Sequence, residues 1–215
     1  MANIMENAGF EDADVEPYTS IVLGKWLTTI GAQRTTEEKS SGNYSLKLEH
    51  QEALQFASKD INLIGEKVYV SFDYKFLESS PAYLYMLLVS NGCGYMGAFK
   101  TVEYDEESGQ NVFKWRFNYS NGVLLSDEDI GNGWKRVRFV FTPSAWSSSS
   151  GWELKMNLSS LGTTGIPTVY IDNVYLDTVP EPSVSNMNFI AIIGGLLALG
   201  LGLVAYYFLK GRRRK

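Results

Sequence analysis

One cysteine and one histidine serve the whole 215-residue chain. Cys93 alone cannot close a disulfide within the chain, and no Cys-based zinc or redox motif can be assembled around it. His50 alone excludes multi-histidine metal centres and leaves little for a Ser-His-Asp arrangement. Acid is absent from the end: no Asp or Glu follows Glu181, while Lys210, Arg212, Arg213, Arg214 and Lys215 supply five of the 19 basic residues. Everything before that tail carries 14 basic against 24 acidic residues, a net of −10. A body of that sign repels polyanions, so nucleic acid is not an expected partner. Helical periodicity is scarce before residue 189, which argues against a helical enzyme.

What the body does contain is β-forming material: 13% aromatics, 20 glycines and frequent Ser and Thr. Short alternating runs bounded by Gly, Asn, Ser and Pro are the pattern of a sandwich or barrel. The clearest is Tyr69 to Phe76, where Val68, Val70, Phe72, Tyr74 and Phe76 fall on one face and Tyr69, Ser71, Asp73 and Lys75 on the other. A second run, from Gly133-Trp134 to Pro143, turns Val137, Phe139 and Phe141 inward and Arg136 and Arg138 outward. Further strands are expected over Tyr44 to Glu49, Tyr83 to Val89, Val112 to Tyr119, Trp152 to Leu158 and Val169 to Leu176. The expected fold is therefore all-β, an antiparallel β-sandwich over residues 1 to 178.

Five segments in order sharpen this: Asn7-Ala8-Gly9-Phe10-Glu11, Ser41-Gly42-Asn43-Tyr44-Ser45-Leu46, Tyr69-Val70-Ser71-Phe72-Asp73-Tyr74, Trp134 to Phe141, and Tyr170-Ile171-Asp172-Asn173-Val174. Together they resemble the carbohydrate-binding-module-like jelly rolls, with an N-x-G-F-E first strand, an S-G-x-x-S-L turn and strand, and a terminal I-D-D/N-V strand. The resemblance implies a jelly roll that binds glycan or serves a structural role. It also implies a structural Ca²⁺ near the joined chain ends, with Glu11, Asp172 and Glu37 or Glu38 as the hard oxygen ligands.

The tail reads differently. Phe189 to Leu209 is uncharged and apolar, and as a helix it spans roughly 31 Å, the thickness of a bilayer's hydrocarbon core. A transmembrane helix over 189–209 is expected, with the basic residues 210–215 on the cytoplasmic side and the body outside. Gly194, Ala198 and Gly202 form a small-residue stripe at four-residue spacing, as used in close helix pairing. Ahead of the helix, within the 179–188 spacer, stands Pro180-Glu181-Pro182. Pro-Glu-Pro, apolar helix and terminal Arg cluster resemble the PEP-CTERM sorting signal of Gram-negative bacteria. That resemblance implies an exosortase as partner and an association with exopolysaccharide at the cell surface. Met1 to Glu11 carries no basic or apolar leader of the kind such proteins start with, so the expectation is a start further upstream, a trimmed form, or a cytoplasmic tail-anchored protein.

No catalytic role is expected. The acid clusters Asp105-Glu106-Glu107 and Asp127-Glu128-Asp129 both read as solvated turns beside glycines, although glycoside hydrolysis needs only two carboxylates. For glycan binding, Tyr83 and Tyr85 share one strand face, with Tyr95 and Trp115 in nearby segments. They are the candidate stacking platforms, and Asn157 is a candidate partner for sugar hydroxyls. Phe113, Trp115, Phe117 and Tyr119 also share one parity that reads as core. A surface or matrix protein without a small ligand is the alternative.

Overall fold

Alternation of apolar and polar residues builds two sheets in the computed structural model. It describes residues 3, 5, 7–12, 15–17, 25–28, 32–49, 52–56, 65–77, 82–90, 95–118, 122–142, 152–160 and 168–181. The strands are β1 (Val15–Pro17), β2 (Trp26–Thr28), β3 (Ala32–Thr35), β4 (Ser45–Glu49), β5 (Glu52–Phe56), β6 (Val68–Phe76) and β7 (Ala82–Ser90). They continue through β8 (Tyr95–Asp105), β9 (Gln110–Asn118), β10 (Gly122–Gly131), β11 (Trp134–Phe141), β12 (Trp152–Ser160) and β13 (Thr168–Asp177).

Seven strands in the order β1-β2-β5-β12-β7-β8-β9 form one sheet, and six in the order β10-β11-β6-β13-β4-β3 form the other. Pairing is antiparallel except for β1 with β2, which run parallel with Val15 opposite Trp26. The two sheets share one core: Trp26, Leu84, Met86, Ala98 and Trp115 from the first meet Leu46, Val70, Phe72, Phe139 and Ile171 from the second. An all-β sandwich of antiparallel sheets is thus what the alternation produces.

Turn chemistry sets the register. Asn132 and Gly133 both take positive φ, 55° and 78°, which is the two-residue turn whose twist matches paired strands. It closes β10 onto β11 with Gly131 opposite Trp134. Between β8 and β9, the Asp105 carboxylate accepts the Ser108 N–H at 3.1 Å and its hydroxyl at 2.7 Å, and the Gly109 N–H reaches the Asp105 carbonyl at 2.8 Å. β9 and β10 follow one another in the chain yet are edges of different sheets. The chain crosses the sandwich there.

Six strands escape the sequence reading: β1, β2, β3, β5, β8 and β10. β8 contains Gly97 and places Lys100 where alternation would ask for an apolar residue. β10 carries three acids in a row, Asp127 to Asp129, which read as a turn and are instead in a strand. The chain divides by contacts into Met1–Val179 and Pro180–Lys215. Among the described residues no helix is long and apolar enough to cross a membrane, and Phe189, Gly194, Ala198, Gly202 and Leu209 lie outside them. His50, Cys93 and Pro182 lie outside them as well.

Candidate functional site

In the seven-stranded sheet the inward positions are filled by Leu84 and Met86 of β7, Ala98 of β8 and Trp115 of β9, all buried. Strand alternation therefore sends Tyr85, Phe99 and Arg116 to the opposite, outer face. Backbone register aligns them: Tyr85 is opposite Phe99, and Phe99 is opposite Arg116. The two rings stack with centroids 5.8 Å apart and planes inclined by 28°. Both are half-buried, and Arg116 is exposed. The same line of backbone positions runs on from Tyr85 through Asn157 of β12 to Glu52 of β5. One row across five strands thus reads Glu52, Asn157, Tyr85, Phe99, Arg116. Two residues before Phe99 stands Gly97, in register with Leu87 and Asn118.

The outer face of the six-stranded sheet is organised otherwise. Asp73 of β6 is 0% exposed, and Arg136 of β11 grips it with two hydrogen bonds, Nε to Oδ1 at 2.6 Å and Nη2 to Oδ2 at 2.8 Å. The Asn173 amide donates to Asp73 Oδ2 at 2.8 Å and to the Ser40 hydroxyl at 2.9 Å. Asp172 of β13, also 0% exposed, accepts the backbone N–H groups of Ser40, Ser41 and Asn173 at 3.0, 3.1 and 2.8 Å. Ser40 Oγ lies 2.6 Å from Asp73 Oδ2 and 2.9 Å from Asp172 Oδ2. Burial pushes the Asp172 carboxyl above its ordinary value against these donors.

The chain's first residues are clasped into the same region. Glu11 accepts the N–H groups of Asn43 and Tyr44 at 2.8 and 3.1 Å, which hold its carboxyl below the usual range. The Arg34 guanidinium donates to the carbonyls of Phe10 and Glu11 and lies 3.2 Å from the centre of the Tyr44 ring. Gly42 sits at φ +57°, where a Cβ would stand 2.1 Å from Glu11 Oε1. Only glycine lets the turn close on that carboxylate.

The proposed Ca²⁺ ligands can be tested on this geometry. Glu11 and Asp172 are brought into one region but are occupied by N–H donors. Glu37 is held by Lys47 at 3.1 Å and the Tyr170 hydroxyl at 2.9 Å, and Glu38 by Lys75 at 2.8 Å. Among the described residues no three His, Cys, Asp or Glu side chains converge on a metal position. A Ca²⁺ shell takes six to eight oxygens. As arranged, the four carboxylates do not gather on one such position, and each has at least one oxygen engaged by a donor.

Comparison with known proteins adds likeness of structure alone. No family model matches the chain, and no curated protein does. Among solved structures, TmCBM61 in complex with β-1,4-galactotriose is 12% identical, with 82% of this chain and 99% of that one covered and a TM-score of 0.47. The xylan-binding CBM22-1 domain from Paenibacillus barcinonensis is 14% identical over 76% of this chain and 91% of its own, with a TM-score of 0.41. A cyclase from Fischerella sp. is 14% identical over 81% and 94%, with a TM-score of 0.46.

Of the expected platform residues, the structure puts Tyr85 on the outer face. Tyr83, Tyr95 and Asn157 are placed by backbone register, opposite Ser159, Val89 and Tyr85 in turn. Trp115 is a correction: it is 7% exposed, packed against Phe72, Tyr74 and Phe139, and its Nε1–H donates to Asp127 at 3.2 Å. Its parity with Phe117 carries it into the core, and a large aromatic at an inward position of a sandwich stays there. Phe99 was missed because its strand was missed. The signal available was a lone aromatic flanked by Ala98 and Lys100.

The second acid cluster is also corrected. Asp127 turns inward from β10 and accepts Lys100 Nζ and the Tyr74 hydroxyl, each at 2.8 Å, together with the Trp115 indole. Lys100 is 4% exposed and lies 4.8 and 5.3 Å from the Tyr74 and Trp115 ring centres. Burial lowers the Lys100 pKa and raises that of Tyr74. This cluster ties β8 and β9 of one sheet to β6 and β10 of the other. The first cluster does lie in a turn: Asp105 caps it, and Glu106 and Glu107 are exposed.

Proposed function

We propose that the body is a non-catalytic glycan-binding domain and that Tyr85 and Phe99 form its stacking platform. The observation that carries this reading is a stacked aromatic pair left half-exposed on the outer face of an open sheet, with polar residues in register on both sides. A sugar ring offers an apolar C–H face to such rings, and neighbouring polar groups fix its hydroxyls. Among the described residues, the carboxylates of Asp73, Asp127 and Asp172 serve the fold, each engaged by donors within it.

The test is affinity electrophoresis of the full chain in detergent through gels containing soluble xylan, galactan, glucan or polygalacturonate. At least one polymer is expected to retard the wild type, with retardation abolished by Tyr85→Ala and preserved by Glu66→Ala on an exposed loop. No retardation by any polymer, or equal retardation of Tyr85→Ala, overturns the platform and leaves a structural or matrix role.

The tail is proposed as a membrane anchor and sorting address. Support comes from the length and hydrophobicity of 189–209, the basic residues behind it and Pro180-Glu181-Pro182 ahead of it. Replacing Pro180 to Pro182 by alanines in a host with an exosortase is expected to abolish processing while membrane association survives. Protease added to spheroplasts is expected to digest the body. Protection of the body with digestion of a tag after Lys215 would reverse the topology.

A further inference from the structure

We infer that the first half of β10 and the outer-face row beside it form a lipid-contact surface, which seats the body on the bilayer that holds the tail. This rests on reading 189–209 as a membrane anchor, and it adds how the anchored body meets the lipid.

Val123, Leu124 and Leu125 follow one another on β10 and are 55%, 39% and 51% exposed, a run of apolar side chains open to solvent. β10 is an edge of the six-stranded sheet. Register carries the apolar surface in from that edge: Val123 is opposite Val140, Val140 opposite Tyr69, and Tyr69 opposite Asp177. Val140 alternates with the buried Phe139 and Phe141, so this row lies on the outer face. Val140 and Tyr69 are half-buried there. Valine, leucine and tyrosine together suit the boundary between headgroups and acyl chains, where an apolar body is covered and a phenol hydroxyl stays wet. An apolar contact with a neutral lipid surface asks for no counter-charge from a body of net −10.

The place where the chain leaves the body favours lipid over other partners. Asp177, the last residue of β13, ends the same row, about 14 Å from Val123 across three strand spacings. The Tyr175 hydroxyl donates to the Val179 carbonyl at 2.8 Å, which holds the departing chain to that end of the sheet. From Val179 to Phe189, where the apolar run begins, the backbone reaches at most about 36 Å. The exposed row is thus tethered within reach of the bilayer. Charge is sorted in the same direction: the acids of β10, Asp127, Glu128 and Asp129, all lie beyond Ser126, toward the other end of the strand. A second copy adding to the edge is a poorer fit, because the bulge between Leu124 and Ser126 interrupts the ladder it would extend. Seating this face on lipid leaves Tyr85 and Phe99, on the outer face of the other sheet, turned away from the bilayer.

The test uses the full chain with Cys93→Ser, reconstituted into phosphatidylcholine vesicles, with one fluorophore attached at Leu125→Cys, Ile130→Cys or Leu201→Cys. Quenching is read with lipids that carry a nitroxide at the headgroup or on the acyl chain. Ile130 is the internal control, being 42% exposed on the same strand. Headgroup nitroxides are expected to quench the Leu125 probe about threefold more than the Ile130 probe, which stands about 17 Å further along β10. Val123→Asp should bring the Leu125 probe down to the Ile130 level, and Val123→Leu should leave it unchanged. Equal quenching at Leu125 and Ile130, with Leu201 still quenched by acyl-chain nitroxides, overturns the lipid contact and leaves the anchor standing. Quenching at Leu125 that survives Val123→Asp overturns the contact as well. A Leu201 probe that lipid nitroxides do not quench removes the anchor and the contact together. Shielding of the Leu125 probe from aqueous iodide that rises with the protein-to-lipid ratio would give the patch to a second copy of the chain and also overturn the inference.

Discussion

The outer faces of the two sheets start from the same alternation and end differently. On the six-stranded sheet, Asp73 and Asp172 occupy outward positions yet are buried, because residues 40–41 and the bulge at β13 deliver Ser40, Ser41 and Asn173 over them. On the seven-stranded sheet, Tyr85 and Phe99 stay half-buried and Arg116 exposed. Buried polar groups must be hydrogen-bonded, so the first face is committed to holding the fold together. The second carries apolar rings that nothing polar requires to be covered. An outward aromatic pair in register is therefore the better indicator of a ligand than an outward acid pair.

Breaking the first face should be felt most. Asp73→Ala takes the two-bond carboxylate partner from the half-buried Arg136 and strips an acceptor from Ser40 and Asn173. A loss of about 3–5 kcal/mol is expected, the usual cost of removing one partner of a buried pair, read as a lower urea midpoint. Tyr85→Ala on the other face should change that midpoint far less and abolish glycan retardation. Equal midpoint losses for the two variants would mean that the faces are not divided in this way.

The interior cluster gives a comparable but recoverable effect. Lys100→Met leaves Asp127 with the Tyr74 and Trp115 donors and no cation, and about 3 kcal/mol should be lost. Removing both charges in Lys100→Met with Asp127→Leu should recover most of it, since an apolar pair of similar volume suits the surrounding aromatics. A double variant no better than the single would show that Asp127 is needed for the donors of Tyr74 and Trp115 in its own right.

Smaller again is the effect at the clasp. Gly42→Ala places a side chain at positive φ and against Glu11, with an expected loss of about 1–2 kcal/mol from the backbone conformation alone. Because Glu11 and Asp172 face N–H donors, Ca²⁺ and a chelator should give the same melting temperature. A rise with Ca²⁺ would show that the clasp rearranges around the ion.

Much of this could be read from the sequence, and the failures have physical causes. Strands β4, β6, β7, β9, β11, β12 and β13 alternate strongly enough to be legible. The Gly9-Phe10-Glu11 and Asp172-Asn173 segments were expected near one another, and the Val174 N–H does reach the Ala8 carbonyl at 2.8 Å. β8 and β10 were hidden because Lys100 and Asp127 occupy inward positions and satisfy each other across the sandwich. Alternation cannot reveal a charge whose partner is 27 residues away. With β8 hidden, Phe99 was lost from the platform, and Trp115 was proposed for a surface it does not reach. Asp73 was legible as outward-facing, but the loop that buries it belongs to a different part of the chain.

The last and smallest effect concerns pH, because the committed face holds carboxylates displaced in opposite directions. Lys47 and Tyr170 lower the Glu37 pKa below its ordinary 4.5. That contribution to stability is present in full above 4.5 and disappears as pH falls through the lowered folded value. Burial raises Asp172 above its ordinary 3.8. The folded state then binds this proton more tightly than the unfolded one, so the contribution is full below 3.8 and disappears as pH rises through the raised value. The two partly cancel on the acid side. Glu37→Gln should therefore be slightly less stable than wild type at neutral pH, with the difference closing as pH falls below 4.5. Carboxyl-carbon NMR should show Asp172 titrating above 3.8 and Glu37 below 4.5 in the same sample. A difference between Glu37→Gln and wild type that persists unchanged into acid would assign Glu37 a packing role, independent of the charge on its carboxylate.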